Sequence, residues 1–501
     1  MAAAMSMRKY TERKSETRDD SDSDFAGILI IIGIAVSTDL AHGERICTER
    51  DMGLLAVCAS SYLGYLPLAN PARLMYNRCS QDLTYHNRES EAVIMSTINK
   101  TYFQNARVGL FTHYTYATYA EGKGHNWGGT WYSADNSRGA VSAEEAAALF
   151  DGEAYAKVAH ALGAEYVVFT AAHAGFNLLF PSETMKRTGC TQKCTESSDV
   201  IAKLIAGLAP YGIPLVLYLP PNDAHDINDA ELAQMGWTDD AARMAFLKEL
   251  IREIYDRYGK GVAGFWFDQC GPTADVCDCV RECNPDAVIF INTGITGNTE
   301  WHPLSDILVS EYYGSIEGCD SDTLPTHYSQ VNRQIGNWWA TGGKAPTDAR
   351  NLYRYTVRTV ATEGQYNAGI AWACGPYLNQ TWEDGVQPLL LSLGELLHAH
   401  EGIYETIPGK AYPTVPNALL GSDDWGVSTE SPDGSVVYLH VLNLPKDGVL
   451  RLGLPADGTR FDAAEYNGCP LVLTAVEDGY TVVMPQDSDR MDTVIWLYRC
   501  K

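Results

Sequence analysis

The amino-acid sequence predicts an α/β protein: a (β/α)8-type (TIM-like) parallel barrel followed by a C-terminal antiparallel β-sandwich. Three observations carry this. From residue 105 to about 402, short apolar runs alternate with helical segments. One run, Gly261–Asp268 (GVAGFWFD), is apolar until it stops at a carboxylate, as a strand covered on both faces does where it opens toward a ligand. After Pro408 the helical pattern gives way to short strands separated by turn residues.

At 501 residues the chain is long enough for roughly two to three domains. Met1 to Asp24 is polar and charged, with little to bury, and is expected to be disordered. Phe25 to Val36 is an apolar run of 12 residues, short of the ~20 that span a bilayer. The acidic stretch Arg18–Asp24 stands where a secretory signal needs basic residues. A core segment or an uncleaved anchor remains open for this run. No periodic pattern links residues 1–94 to the rest of the chain. They are expected to be a poorly structured extension, with the barrel over 95–408 and the sandwich over 409–501.

Seven strands can be marked in the barrel region. They are Arg107–His113, Glu165–Ala171, Ile213–Tyr218, Gly261–Asp268, Ala287–Asn292, Ile307–Tyr312 and Ala368–Ala373. Helices are expected over Ala143–Leu162, Ser198–Leu208, Asp239–Tyr258, 275–283, 347–362 and 386–402. The count is one short of a closed eight-stranded barrel. Beyond Pro408, strands are expected at Val436–Leu442, Val449–Leu452, Leu471–Ala475, Tyr480–Val483 and Thr493–Tyr498. Turns at Pro432–Gly434 and Lys446–Gly448 punctuate them.

The formal charge of -26, with no long basic run, argues against nucleic acid as a partner. Thirteen cysteines are irregularly spaced, and Cys270, Cys277, Cys279 and Cys283 lack the C-x2-C pairs of a zinc site. Free thiols in a reducing, cytoplasmic compartment are expected, with no membrane partner.

Several segments then resemble the α-L-fucosidases, family 29 of the glycoside hydrolases, over roughly residues 100 to 500. Gly109-Leu-Phe-Thr-His113 resembles the family's first strand, and Thr130-Trp131-Tyr132 its Glu-Trp-Tyr. Thr170-Ala-Ala-His173-Ala-Gly175-Phe176 resembles its T-A-K-H-H-D-G-F, one residue shorter. Leu217-Tyr218 stands at the end of the third strand, and Trp266-Phe267-Asp268 is identical to the nucleophile motif. Pro285–Ile289 and the closing Gly394-Glu395 to Tyr404 continue the series. The second histidine and the aspartate of the histidine motif are missing. Asn292-Thr293 stands in place of an arginine, and Gly369–Pro376 replaces a G-N-x-L-L-N-x-G-P. These departures bear on which sugar is bound more than on the fold.

The resemblance implies a retaining exo-glycosidase acting on a fucosylated glycan or glycoside, with no metal or organic cofactor. Retention needs two carboxyl groups ~5–5.5 Å apart, one nucleophile and one acid/base. Asp268 fits the nucleophile, although by position alone it could equally cap the next helix. Glu311, ending the strand two beyond, is the candidate acid/base, with Glu300 and Glu317 as alternatives in flanking loops. The resemblance implies that His113 and His173 contact the sugar. Trp131 could stack on its apolar face or merely pack its loop. Tyr218 and Trp372 are further binding candidates that could instead be core. Trp338 and Trp339 could line the pocket, while Asn337 and His327 are unassigned. Two rivals stay open: a sugar-binding barrel without catalysis, and a glycosidase of the same mechanism acting on another sugar such as a galactoside.

Overall fold

The computed structural model describes residues 98–500 except 115–141, 174, 222–226, 269–270, 296–301, 313–329, 335–347, 363–368, 377–379, 383–384 and 415–423. The expected extension over 1–94 therefore lies outside the described residues.

The chain begins with α1 (Lys100–Asn105), β1 (Val108–Thr112), α2 (Ala143–Leu149), α3 (Gly152–Leu162), β2 (Tyr166–Thr170), α4 (Glu183–Arg187) and α5 (Val200–Leu208). It continues with β3 (Leu215–Leu219), α6 (Asp229–Met235), α7 (Asp240–Tyr258), β4 (Val262–Phe267), α8 (Ala274–Cys283) and β5 (Val288–Ile295). Then come β6 (Ile307–Tyr312), β7 (Gln330–Gln334), α9 (Ala349–Val360), β8 (Gly369–Ala373) and α10 (Val386–Ala399). Strands β1 to β8 pair in parallel, and β8 returns to β1 to close the barrel.

The eighth strand is β7, Gln-Val-Asn-Arg-Gln, which no apolar pattern announces. It pairs with β6 and β8 on its two sides. Backbone hydrogen bonds on both edges hold such a strand whatever its side chains are, so a hydropathy reading passes over it.

Each remaining barrel strand sorts its side chains by alternation. Val216 and Tyr218, Val288 and Phe290, and Ile307 and Val309 fill the barrel interior, whereas Leu215, Leu217, Ile289 and Ile291 pack outward under the helices. In β4 the register against β3 slips at Ala263, and this bulge puts Trp266 into the interior. Helix α1 closes the amino-terminal end: Phe103 stands edge-on to Tyr166 and Phe290, each 5.8 Å away. Gly109 is required here, because a Cβ would lie 2.5 Å from the Tyr166 ring.

The helix expected over Ala143–Leu162 is two helices. Asp151 caps α3 by accepting from the Ala154 amide, 2.9 Å. Lys203 donates to the carbonyls of Ala147, Ala148 and Phe150 at 2.8, 3.0 and 3.0 Å, taking up the orphaned acceptors at the end of α2.

Beyond α10 lie β9 (Ile407–Pro408), β10 (Gly426–Glu430), β11 (Val436–Val441), β12 (Val449–Gly453) and β13 (Phe461–Tyr466). They are followed by β14 (Cys469–Leu471), β15 (Leu473–Val476), β16 (Gly479–Val483) and β17 (Thr493–Arg499). A six-stranded sheet, β14-β13-β17-β11-β10-β9, and a three-stranded sheet, β12-β16-β15, share a core of Val437, Leu439, Leu450, Val482, Ile495 and Leu497. Strand β13 escapes a sequence reading because a register slip between Phe461 and Ala463 breaks its alternation. Tyr353 and Arg354 of α9 reach this region, donating to Asp492 and to the Leu442 carbonyl, both at 2.7 Å.

The described cysteines, Cys190, Cys194, Cys277, Cys279, Cys283, Cys374, Cys469 and Cys500, are free thiols. Among the described residues no helix is long and apolar enough to cross a membrane.

Candidate active site

Asp268 sits one residue past β4, at the carboxyl end of the barrel, and is partly exposed. Its amide donates to the Leu219 carbonyl at 3.1 Å, so the strand geometry continues through it. It does not cap the following helix: α8 begins after Thr273. Both carboxylate oxygens are held. The Tyr218 hydroxyl donates to Oδ2 at 2.7 Å and the Asn292 amide to Oδ1 at 2.9 Å. Two donors aimed at two oxygens fix the carboxyl plane and stabilise negative charge on it.

Tyr218 comes from β3, the strand beside β4, and Asn292 from β5 on the other side. Tyr218 shares interior parity with Val216, as Asn292 does with Val288 and Phe290. Tyr218, expected to touch substrate, thus has its hydroxyl committed to Asp268. Asn292 stood out in the sequence only as a departure from a motif. Its parity on β5 was the signal that could have placed it.

The histidines meet on the same side. His173 stacks on Tyr218 at 5.4 Å with planes 8° apart, and Tyr218 stacks in turn on Trp266 at 5.3 Å. His113 stands 4.8 Å from His173 and 4.7 Å from Tyr218, ring centre to ring centre. Both histidines are buried.

Burial holds the His113 pKa well below the ordinary 6.5, and the neighbouring His173 lowers it further. The imidazole is neutral near pH 7 and can exchange hydrogen bonds with hydroxyl groups. The unfolded chain takes up this proton first, so stability is full above about pH 6.5 and falls as pH drops below it. The slope for one such group is up to ~1.4 kcal/mol per pH unit. His113→Gln is expected to flatten the fall of Tm between pH 7 and pH 5 in calorimetry. An unchanged slope would move the acid sensitivity elsewhere.

Trp372 is a correction. It lies on β8 between Ala371 and Ala373, which face the interior, so it points outward. Its indole N–H donates to Thr356 of α9 at 3.2 Å and its ring packs on Tyr355. Fully buried between strand and helix, it cannot meet a sugar at the mouth. A tryptophan at a strand end reads the same in sequence whichever way it faces.

Glu311 is on β6, opposite Asn332 of β7 and Ile295 of β5, with the strand parity of Ile307 and Val309. Its side chain lies outside the described residues, as do Trp131, Glu300, Glu317, His327, Asn337, Trp338 and Trp339. Among the described residues no three His, Cys, Asp or Glu side chains gather where they could hold a metal ion.

A family model described as "Alpha-L-fucosidase" matches residues 78–399. No curated protein matches the chain. Among solved structures, a family 29 α-L-fucosidase from Bacteroides thetaiotaomicron is 18% identical, with a TM-score of 0.57 over 80% of this chain and 94% of that one. The α-L-fucosidase isoenzyme 1 from Paenibacillus thiaminolyticus is 18% identical, with a TM-score of 0.60, over 81% and 100%. The Thermotoga maritima α-fucosidase, solved with a mechanism-based inhibitor, is 15% identical, with a TM-score of 0.54, over 82% and 99%. These structures share the fold.

Proposed function

The chain belongs to the α-L-fucosidase family of glycoside hydrolases, and from that premise we propose that it hydrolyses terminal α-L-fucosides with retention, through a covalent glycosyl ester on Asp268. The observation that carries the reading is the doubly held carboxylate at the end of β4, facing the barrel mouth beside two buried histidines.

In the first step an Asp268 oxygen attacks the anomeric carbon while the bond to the aglycone oxygen breaks. A second carboxyl group gives that oxygen a proton. In the next step the same group, now ionised, takes a proton from water, which displaces Asp268 and restores the configuration. Tyr218 and Asn292 keep the carboxylate aimed and take up charge as the ester releases it. His113 and His173 bind sugar hydroxyls, and Trp131 packs on the sugar face.

Glu311 is our candidate for the second carboxyl group. Adjacent strands lie ~4.8 Å apart, so β4 and β6 are separated by ~10 Å. An aspartate and a glutamate reaching inward from that distance can bring their carboxyl groups to ~5–5.5 Å, the spacing that double displacement needs.

The test is a panel of α-L-fucosides and galactosides of graded leaving-group pKa, with product stereochemistry followed by NMR. Fucoside turnover giving α-L-fucose first is expected. Glu311→Gln should lose at least ~100-fold on poor leaving groups and little on activated ones. Galactoside preference would overturn the substrate assignment, and uniform loss across leaving groups would move the acid to another residue.

A further inference from the structure

We infer that Lys193 is a positioning residue that sets His173 in the site through the Gly175 carbonyl. The inference rests on the proposal that His173 faces the sugar.

The loop after β2 departs from what a stable turn requires. Phe176 has φ +50°, a left-handed backbone that a bulky side chain avoids. Its amide nonetheless folds back to the His173 carbonyl at 2.6 Å. The turn is held from both ends. The Phe176 ring, fully buried, stands edge-on to Trp237 at 4.7 Å and to Phe246 of α7 at 6.0 Å. On the polar side, Lys193 Nζ donates to the Gly175 carbonyl at 2.9 Å. Gly175 lies between the strained residue and the histidine.

Lys193 is itself only 4% exposed. Its charge is met by Glu231 of α6 at 3.2 Å. Its backbone is fixed by donation to the Cys190 carbonyl and by acceptance from the Leu178 amide. An ammonium taken out of water needs partners in fixed places. Lys193 has the partly exposed Glu231 carboxylate and one carbonyl, two residues from a histidine that stacks on the tyrosine gripping Asp268.

The test compares Lys193→Met, His173→Ala and the double variant on an α-L-fucoside, with L-fucose as competitive inhibitor. Lys193→Met is expected to raise KM and the fucose Ki about 10-fold, with kcat changed less than about threefold. The double variant should be no worse than His173→Ala alone. Multiplying losses, or an unchanged KM, would overturn the inference. Should Lys193→Met not fold, Lys193→Arg takes its place: it keeps the charge against Glu231 but not the single-atom tie to Gly175, and the same KM rise is expected. Side-chain NMR of His173 separates this inference from the one beneath it. A His173 ring signal displaced in Lys193→Met supports the link even if the wild type fails on fucosides, and an unmoved signal refutes it even if the wild type is active.

Discussion

Asp268→Ala is expected to lower kcat on an activated α-L-fucoside by at least ~10⁴-fold, or about 5.5 kcal/mol of transition-state stabilisation. The side chain is the nucleophile of the proposed first step, and nothing else on β4 can replace it: Phe267 packs outward and Trp266 fills the interior below. The variant should still fold, because Asp268 is partly exposed and its backbone bond to Leu219 is untouched. Removing the carboxylate leaves a small space lined by the Tyr218 hydroxyl and the Asn292 amide, both donors. Azide fits that chemistry. It is expected to restore turnover and to give β-L-fucosyl azide, the product of one displacement instead of two. An Asp268→Ala protein retaining a tenth or more of wild-type kcat, or an α-configured azide product, would remove Asp268 from the mechanism.

The same strand shows what a sequence can and cannot disclose. The run from Gly261 to Asp268 reads as a covered strand because every residue before the carboxylate is apolar, and it folds as one. The order of helices and strands followed from similar runs, and so did the barrel. Where the pattern failed, backbone pairing had replaced side-chain burial as the reason for a strand, as in polar β7, or a bulge had broken the alternation, as in β13. The site divides in the same way. Asp268, His113 and His173 stand at or just past the ends of recognisable strands; position left Asp268 balanced against a helix cap, the family resemblance gave all three their expected roles, and the fold gathers them. Asn292 and Trp372 turn on which way one residue faces. Parity would have settled both, had the register of each strand been known. Lys193 could not be found at all: it reaches the His173 loop from a 3₁₀ turn with no periodicity of its own.

The second large effect lies where α9 meets the C-terminal sheets. Asp492→Ala is expected to destabilise the protein by ~3–5 kcal/mol, the cost of leaving buried polar partners of a carboxylate unmatched. Asp492 and His440 are both fully buried. One oxygen, Oδ2, receives the Tyr353 hydroxyl of α9 and faces Nδ1 of His440 on β11, each at 2.7 Å. His440 is held on its other side, with Nε2 3.1 Å from the Gly402 carbonyl and 3.3 Å from Thr429 Oγ1, so it cannot swing to a new acceptor. Alanine therefore strands two donors at once, one from the barrel helix and one from the sheet. Tyr353→Phe removes a single donor and leaves the Asp492–His440 contact whole, so ~1 kcal/mol is expected. At ~1 °C per kcal/mol for a chain of 501 residues, Tm should fall by about 3–5 °C for Asp492→Ala and by about 1 °C for Tyr353→Phe. Because both variants break the same bond, the double variant should fall short of the sum. Calorimetry showing Asp492→Ala melting within a degree of wild type, or fully additive losses, would mean that the Tyr353–Asp492 bond adds little to the joint between this helix and the sheets.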